Sequence, residues 1–269
     1  MRTRQIAYLR PDEILAELAN APIAYLPLGL IEWHGPHLPL GVDALNAEAV
    51  AIRAAEQSGG LVLPTAYFGT ERERDPRTLD NIGFEPEQYV IGMDFPANTL
   101  PSMYAREDLF ALFLRENLRH IKAMGFKIIV ALSGHGAVNQ LETIKRIAAE
   151  VNAAGDICVL PELAFSANAD GVIAVGHASR IETAITMALA PETVRLDLLP
   201  EDAQLKNTDY AIVDYQTFLG EPTPDRTVHA DDDPRRATAD DGEAMITNTA
   251  RRIAAAATTA LDNFLEKGE

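Results

Sequence analysis

Between Ile31 and Asp43 the sequence reads I-E-W-H-G-P-H-L-P-L-G-V-D, which packs Glu32, His34, His37 and Asp43 into twelve positions. Carboxylate plus imidazole is the ligand mixture that zinc, manganese or iron accepts. A carboxylate such as Asp43 can bridge two metals and hold them about 3.5–4 Å apart. Gly35, Pro36, Pro39 and Gly41 break regular structure, so the segment is a shaped loop. The plain alternative is a polar loop that caps the next helix, with Asp43 as the N-cap just before Ala44.

Two further histidines sit in glycine-bearing segments. In Ser133–Asn139, S-G-H-G-A-V-N, Gly134 and Gly136 let the backbone crowd a ligand and present His135. A glycine turn with a solvent-facing histidine is the alternative. In Gly176–Thr183, G-H-A-S-R-I-E-T, His177 and Glu182 lie five apart and are not neighbours on a helix face. Glu182 in a first helical turn suits the dipole, and Ser179 with Glu182 reads as a capping box. On spacing alone this third segment is neutral. His120, near the end of a helix, suits the C-terminal dipole. His229 falls in an acidic loop and reads as solvated.

The elements that must position these residues alternate. Ile23–Leu30, Leu61–Leu63, Lys127–Leu132 and Ile157–Leu160 read as strands, the first and third as buried ones. Ala44–Gln57, Arg106–Met124, Val138–Asn152 and Ile181–Leu189 read as helices. Such alternation predicts an α/β fold with a mostly parallel sheet and helices on both faces. The first two histidine loops then follow strands directly, where open α/β sheets bind ligands. Thr70–Leu100 and Leu199–Arg236 read as irregular, the first as long loops over one edge of the sheet. No repeat or linker divides the chain, so residues 1–269 are expected to form a single domain.

Composition narrows the function. The chain has 269 residues, 47% of them apolar, and a formal net charge of −17. That charge argues against nucleic acid as a partner, because binding phosphates needs a basic face. No apolar run approaches the ~18 residues of a membrane span, so no membrane partner is expected. Met1–Arg10 has charge but no apolar core, and no signal peptide is expected there. The one cysteine, Cys158, lies in an apolar stretch and reads as a buried small hydrophobe. A cytoplasmic location is expected. A phosphate-binding glycine loop after the first strand, as in G-x-G-x-x-G or G-x-x-x-x-G-K-[ST], is missing, which removes the simplest nucleotide-binding reading.

The run from Glu32 to Asp43 resembles the signature of the creatininase (creatinine amidohydrolase) family, Glu-x-His-Gly-Pro-His-Leu-Pro-x-x-x-Asp. Gly134-His135-Gly136 with Asn139 resembles its Gly-His-Gly-Gly-Asn element, and Gly176-His177-Ala178 followed by Glu182-Thr183 its Gly-His-Ala…Glu-Thr element. Asp233-Pro234-Arg235 with Ala237-Thr238 and Gly242 resembles a C-terminal element, and Phe95-Pro96 a weaker one. The elements occur in family order over nearly the whole chain. The resemblance implies a creatininase-like three-layer α/β sandwich, often assembled as a hexamer, and so a homo-oligomer. It also implies two divalent metals, zinc, manganese or iron: Glu32 and His135 on one, His34 on the other, Asp43 bridging, and His177 as the acid/base group.

The chain departs from the family in two places. Creatinine-cleaving members carry a glutamate ligand two positions after the histidine that matches His135. That position is Ala137 here, and Glu182 is the candidate replacement, both as metal ligand and as part of the catalytic set. Those members also hold their flat substrate with tryptophans, whereas this chain has one, Trp33, inside the metal loop. The resemblance therefore implies hydrolysis of a C–N bond in a cyclic or linear amide, a cyclic one by preference and not creatinine, by water that the metals activate. His177 would donate the proton to the leaving group, its ordinary pKa suiting transfer near neutrality. A ring-opening hydrolase acting on a lactone or a sugar- or inositol-derived ketone is the rival within enzymes. The charged insert Thr70–Asn81 could serve such a substrate, or be a solvated loop or subunit contact. A non-catalytic member that keeps the fold is the rival outside them.

Overall fold

The structure is a computed structural model that describes residues 2–92, 94–96, 98–166, 176–201, 203–206 and 227–267. In chain order the elements are α1 (Pro11–Asn20), β1 (Ile23–Gly29), α2 (Val42–Ser58), β2 (Leu61–Val62), β3 (Ala66–Tyr67), β4 (Gly69–Thr70) and α3 (Pro76–Ile82). They continue with β5 (Tyr104–Ala105), α4 (Glu107–Ala123), β6 (Ile128–Ser133), α5 (Val138–Asn152), β7 (Cys158–Leu163), α6 (Arg180–Leu189) and α7 (Ala239–Glu266).

The main sheet runs β2-β1-β6-β7, with β3 also on β1, and every pairing is parallel. The central strands β1 and β6 are buried along their whole length. That is why they read as unbroken apolar runs and not as alternating ones. Alternate side chains serve opposite faces. Ile23, Tyr25, Ile128, Val130 and Leu132 pack with Val50 of α2, Ile185 of α6 and Ile253 of α7. Ala24, Leu26, Leu28, Ile129 and Ala131 pack with Leu114 of α4 and Ile147 of α5. The result is a three-layer α/β sandwich with helices on both faces of a parallel sheet.

The strand order places a crevice. From β1 the chain crosses through α2 to β2 on one side, and from β6 through α5 to β7 on the other. Because α2 and α5 cover opposite faces, the loops leaving β1 and β6 diverge and open a gap at their carboxyl ends, where open α/β sheets bind ligands.

The helices α1 and α7 have no counterpart among the elements that the sequence pattern predicts. The apolar stripe of α7 is built mostly from alanines, such as Ala250, Ala254 and Ala257, so its contrast with the polar face is low. Thr70–Leu100 is not merely a run of loops at an edge. It contains α3, whose N-cap Asp75 accepts hydrogen bonds from the N–H groups of Arg77 and Thr78. It leads into β5, which pairs with β4, and Ile82 and Phe95 pack on Trp33 of the metal loop. Within its charged part, Glu71 and Arg74 are buried, so the insert is not simply a solvated loop. Cys158 is partly exposed, because β7 is the last strand of the sheet among the described residues. Of Leu199–Arg236, residues 202 and 207–226 lie outside the described residues. No helix among the described residues is long and apolar enough to cross a membrane.

Candidate metal centre

Three loops fill the crevice. The first leaves β1 and carries Glu32 and His34 to α2, whose N-cap is Gly41, so Asp43 sits in the first turn and does not cap it. The second leaves β6 with His135. A Cβ on Gly134 would lie 1.9 Å from the carbonyl oxygen of Asp43, so only glycine lets this loop close onto the first turn of α2. The third brings His177 and Glu182 into α6. Ala178 between them holds φ 53°, a left-handed conformation uncommon outside glycine. It is fixed there by its N–H, which donates to Glu182 Oε2 at 2.6 Å. The capping-box expectation fails at this point: Ser179 makes no side-chain cap bond, and Glu182 turns into the crevice.

Glu32, His34, Asp43, His135, His177 and Glu182 converge, each 7% exposed or less. Asp43 stands at the middle. Its Oδ1 lies 3.4 Å from His34 Nε2, and its Oδ2 lies 3.1 Å from His135 Nδ1. Glu32 Oε2 is 3.1 Å from the same His135 nitrogen, and Glu182 Oε1 is 3.6 Å from His34 Nε2. His34 Nδ1 is 3.0 Å from the backbone oxygen of Glu32. Donating there leaves the lone pair on Nε2, the way a backbone carbonyl commonly orients a histidine metal ligand. His177 stacks at a tilt on His34, with centroids 4.6 Å apart, and its Nδ1 is 3.9 Å from Glu32 Oε1.

The electrostatics are those of a cation site. Three carboxylates buried side by side are costly unless compensated. Burial opposes a charge on His34, yet Glu182 and Asp43 overcome it and hold the ring's pKa well above its ordinary value. Burial likewise opposes a charge on His135, and Glu32 and Asp43 overcome it. Burial pushes Glu182 up. At Glu32 and Asp43 burial is outweighed by the neighbouring imidazoles, and both lie below the usual carboxylate range. His34 Nε2 is buried without a hydrogen bond, although three carboxylates surround it. The field that draws a proton to that nitrogen would draw a divalent cation, so the residues present fit the metals that the sequence implies. Among the described residues, side chains able to hold an ion form three overlapping triads: Glu32–Asp43–His135, His34–Asp43–Glu182 and Glu32–His34–His177.

Outside the cluster, His37 Nε2 lies 3.2 Å from Thr183 Oγ1 and ties the first loop to the third. His120 is exposed, its Nε2 3.0 Å from Glu116 Oε1, and His229 is exposed beside Asp231. Sequence reasoning missed Tyr104, whose hydroxyl donates to Glu32 Oε1 from 72 positions away. No spacing pattern could have linked the two.

The family model Creatininase, described as creatinine amidohydrolase, matches residues 7–257. Creatinine amidohydrolase of Pseudomonas putida is 26% identical over 191 residues, 65% of this chain and 67% of that one. Mycofactocin precursor peptide peptidase of Mycolicibacterium smegmatis is 26% identical over 219 residues, 75% of each chain. A crystal structure of creatinine amidohydrolase superposes with a TM-score of 0.66 at 21% identity, covering 95% of this chain and 97% of that one. Creatininase structures described as Mn and as Zn-Zn type superpose equally well, a likeness of fold.

Proposed function

The chain belongs to the creatininase family, and from that premise we propose that it is a metal-dependent hydrolase of a C–N bond in a small amide other than creatinine. The observation that carries the reading is Asp43, whose two oxygens face different histidines 3.4 and 3.1 Å away. Asp43 would bridge one ion held with Glu32 and His135 and a second held with His34 and Glu182. Divalent zinc, manganese or iron ions bound there would polarise a carbonyl and acidify water.

The protein's own groups supply the rest. Glu182 stands in for the glutamate that Ala137 replaces. His177 is pushed down to about 3 by burial, which outweighs the pull of Glu32, with His34 adding to the fall. Its resting ring is therefore neutral in the metal-free fold. Its buried Nε2 makes no hydrogen bond. In the proposed reaction it takes a proton from the attacking water and passes it to the departing nitrogen.

The two curated relatives are named for a cyclic amide and for a peptide, and an amide C–N bond is what those substrates share. Support for the ring-opening alternative weakens, because Arg74 of the charged insert donates to the carbonyl of Gly92 at 2.7 Å and lies buried beside Glu71. The same proposal includes a cytoplasmic location and a homo-oligomeric assembly, read by fractionation and light scattering.

The test is a panel of cyclic ureides, short peptides, lactones and creatinine, offered to protein loaded with Zn²⁺ or Mn²⁺. Turnover of an amide, lost in Asp43→Ala, is expected. Turnover confined to lactones, or to creatinine, would overturn the assignment.

A further inference from the structure

The three triads cannot all be used at once, because the third would take His177 as a ligand and remove it from proton transfer. Resting on the paired-metal reading above, we propose that Tyr104 is a positioning residue that turns Glu32 toward Asp43 and His135 and so keeps His177 off the metal.

Glu32 presents its two oxygens to different partners. Its Oε2 faces His135 Nδ1 at 3.1 Å, and its Oε1 is the oxygen that His177 Nδ1 approaches at 3.9 Å. The Tyr104 hydroxyl donates to Oε1. That bond takes up one of the oxygen's lone-pair sites, draws off part of its charge and fixes the rotation of the carboxylate. Oε2 is left as the better ligand, on the side of Asp43 and His135. Without the phenol, Oε1 is free to serve the triad that contains His34 and His177.

Tyr104 is held as closely as the ligands are. It pairs with Gly69 in a two-stranded parallel ladder, next to Thr70 and Ala105. Thr70 N–H donates to Gln140 Oε1 at 2.8 Å, Gln140 Nε2 donates to Ser133 Oγ at 2.9 Å, and the Ser133 hydroxyl donates to the carbonyl oxygen of His135 at 2.7 Å. The strand that carries Tyr104 and the loop that carries His135 therefore hang from one hydrogen-bonded chain. On the other side, Met103 N–H donates to the carbonyl of Ile31 at 2.8 Å, next to Glu32 itself. The phenol ring lies against the backbone of Gly92, where a Cβ would come within 2.1 Å of a ring carbon. Gly92 is at φ 76°, and its carbonyl is held by Arg74 Nε. These contacts hold the ring whether or not it carries a hydroxyl, so Tyr104→Phe removes the bond to Glu32 while the ring keeps its packing against Gly92.

The test is a metal titration, independent of turnover. Chelator-stripped parent, Tyr104→Phe, His177→Ala and the double variant are titrated with Zn²⁺ against a chromophoric chelator. Thermal unfolding of the metal-free proteins is recorded alongside. The parent and His177→Ala are expected to bind two ions alike. Tyr104→Phe should bind one of the two about 10–100-fold more weakly, as loss of an outer-shell partner does. In that background, removing His177 should weaken binding further, a non-additivity that a double-mutant cycle detects. If Tyr104→Phe lowers Tm but leaves both affinities intact and independent of His177, the residue is merely structural and the inference is overturned. A parent that binds two ions while the variant matches it sinks this inference alone. A parent that binds none sinks the paired-metal reading with it.

Discussion

At Asp43 one carboxylate meets two imidazoles, one at each oxygen. A bridging ligand needs that geometry, and a helix cap does not. The roles of neighbouring residues separate on the same scale. In the proposed site Glu32, His34, His135 and Glu182 would offer atoms to an ion, whereas His177, with its unbonded Nε2, would offer one to a proton. Replacing His177 by alanine should therefore lower turnover of an amide by about 10²–10⁴-fold while the metal content per chain stays at the parent's value, as kinetics beside elemental analysis would show. Equal losses of metal and activity would place His177 among the ligands. Glu32, His34, Asp43 and His135 were legible in the sequence because they sit in short loops after strands with glycine and proline between them. Glu182 was ambiguous, since a carboxylate in a first helical turn has an ordinary electrostatic use. Tyr104 was invisible, because only the folded chain brings it to Glu32.

The elements explain why those side chains meet. The parallel order β2-β1-β6-β7 opens a crevice at the ends of β1 and β6, and α2 begins there with Asp43 in its first turn. The closeness of the β6 loop to α2 rests on Gly134. Gly134→Ala would place a methyl group 1.9 Å from the Asp43 carbonyl oxygen, and overpacking of this kind costs about 1–3 kcal/mol. Calorimetry is expected to show a Tm lower by several degrees, and metal titration to show weaker uptake as His135 withdraws from Asp43. An alanine variant that keeps both values would mean that the loop has room to move. The strands β1, β2, β6 and β7 and the helices α2, α4, α5 and α6 were legible in the sequence, since apolar runs bounded by turn residues mark the strands and helical apolar periods mark the helices. Their termini shifted by a few residues, as capping details rather than periodicity decide where an element ends. The helix α7 escaped notice because alanine gives its buried face little contrast, and the region from Thr70 to Ala105 because its strands are two residues long.

For the molecule as a whole, the buried cluster makes metal-free stability depend on pH from both sides. His34 and His135 have raised pKa values in the fold. The stability they contribute is present below their ordinary pKa of ~6.5 and is lost as pH rises through the raised values, leaving three carboxylates uncompensated. His177 and His37 are depressed, to about 3 and about 4. Burial is the main cause at both, and stability is lost as pH falls below ~6.5, where the unfolded chain binds those protons and the fold does not. Metal-free protein should therefore be most stable near neutral pH, and the gain in Tm on adding Zn²⁺ should grow as pH rises and protons leave His34 and His135. At 100-fold over its dissociation constant, one ion bound to the folded state alone contributes about 2.7 kcal/mol. A metal-induced shift that is the same at pH 6 and pH 8 would mean that no proton is displaced. If the buried carboxylate of Asp43 joins two cations, elemental analysis per chain reads it out on protein purified without chelator or nickel, parent beside Asp43→Ala. About two divalent ions in the parent, both lost in the variant, is the predicted result. No ion in the parent after loading with Zn²⁺ or Mn²⁺, or two ions retained without Asp43, would contradict it.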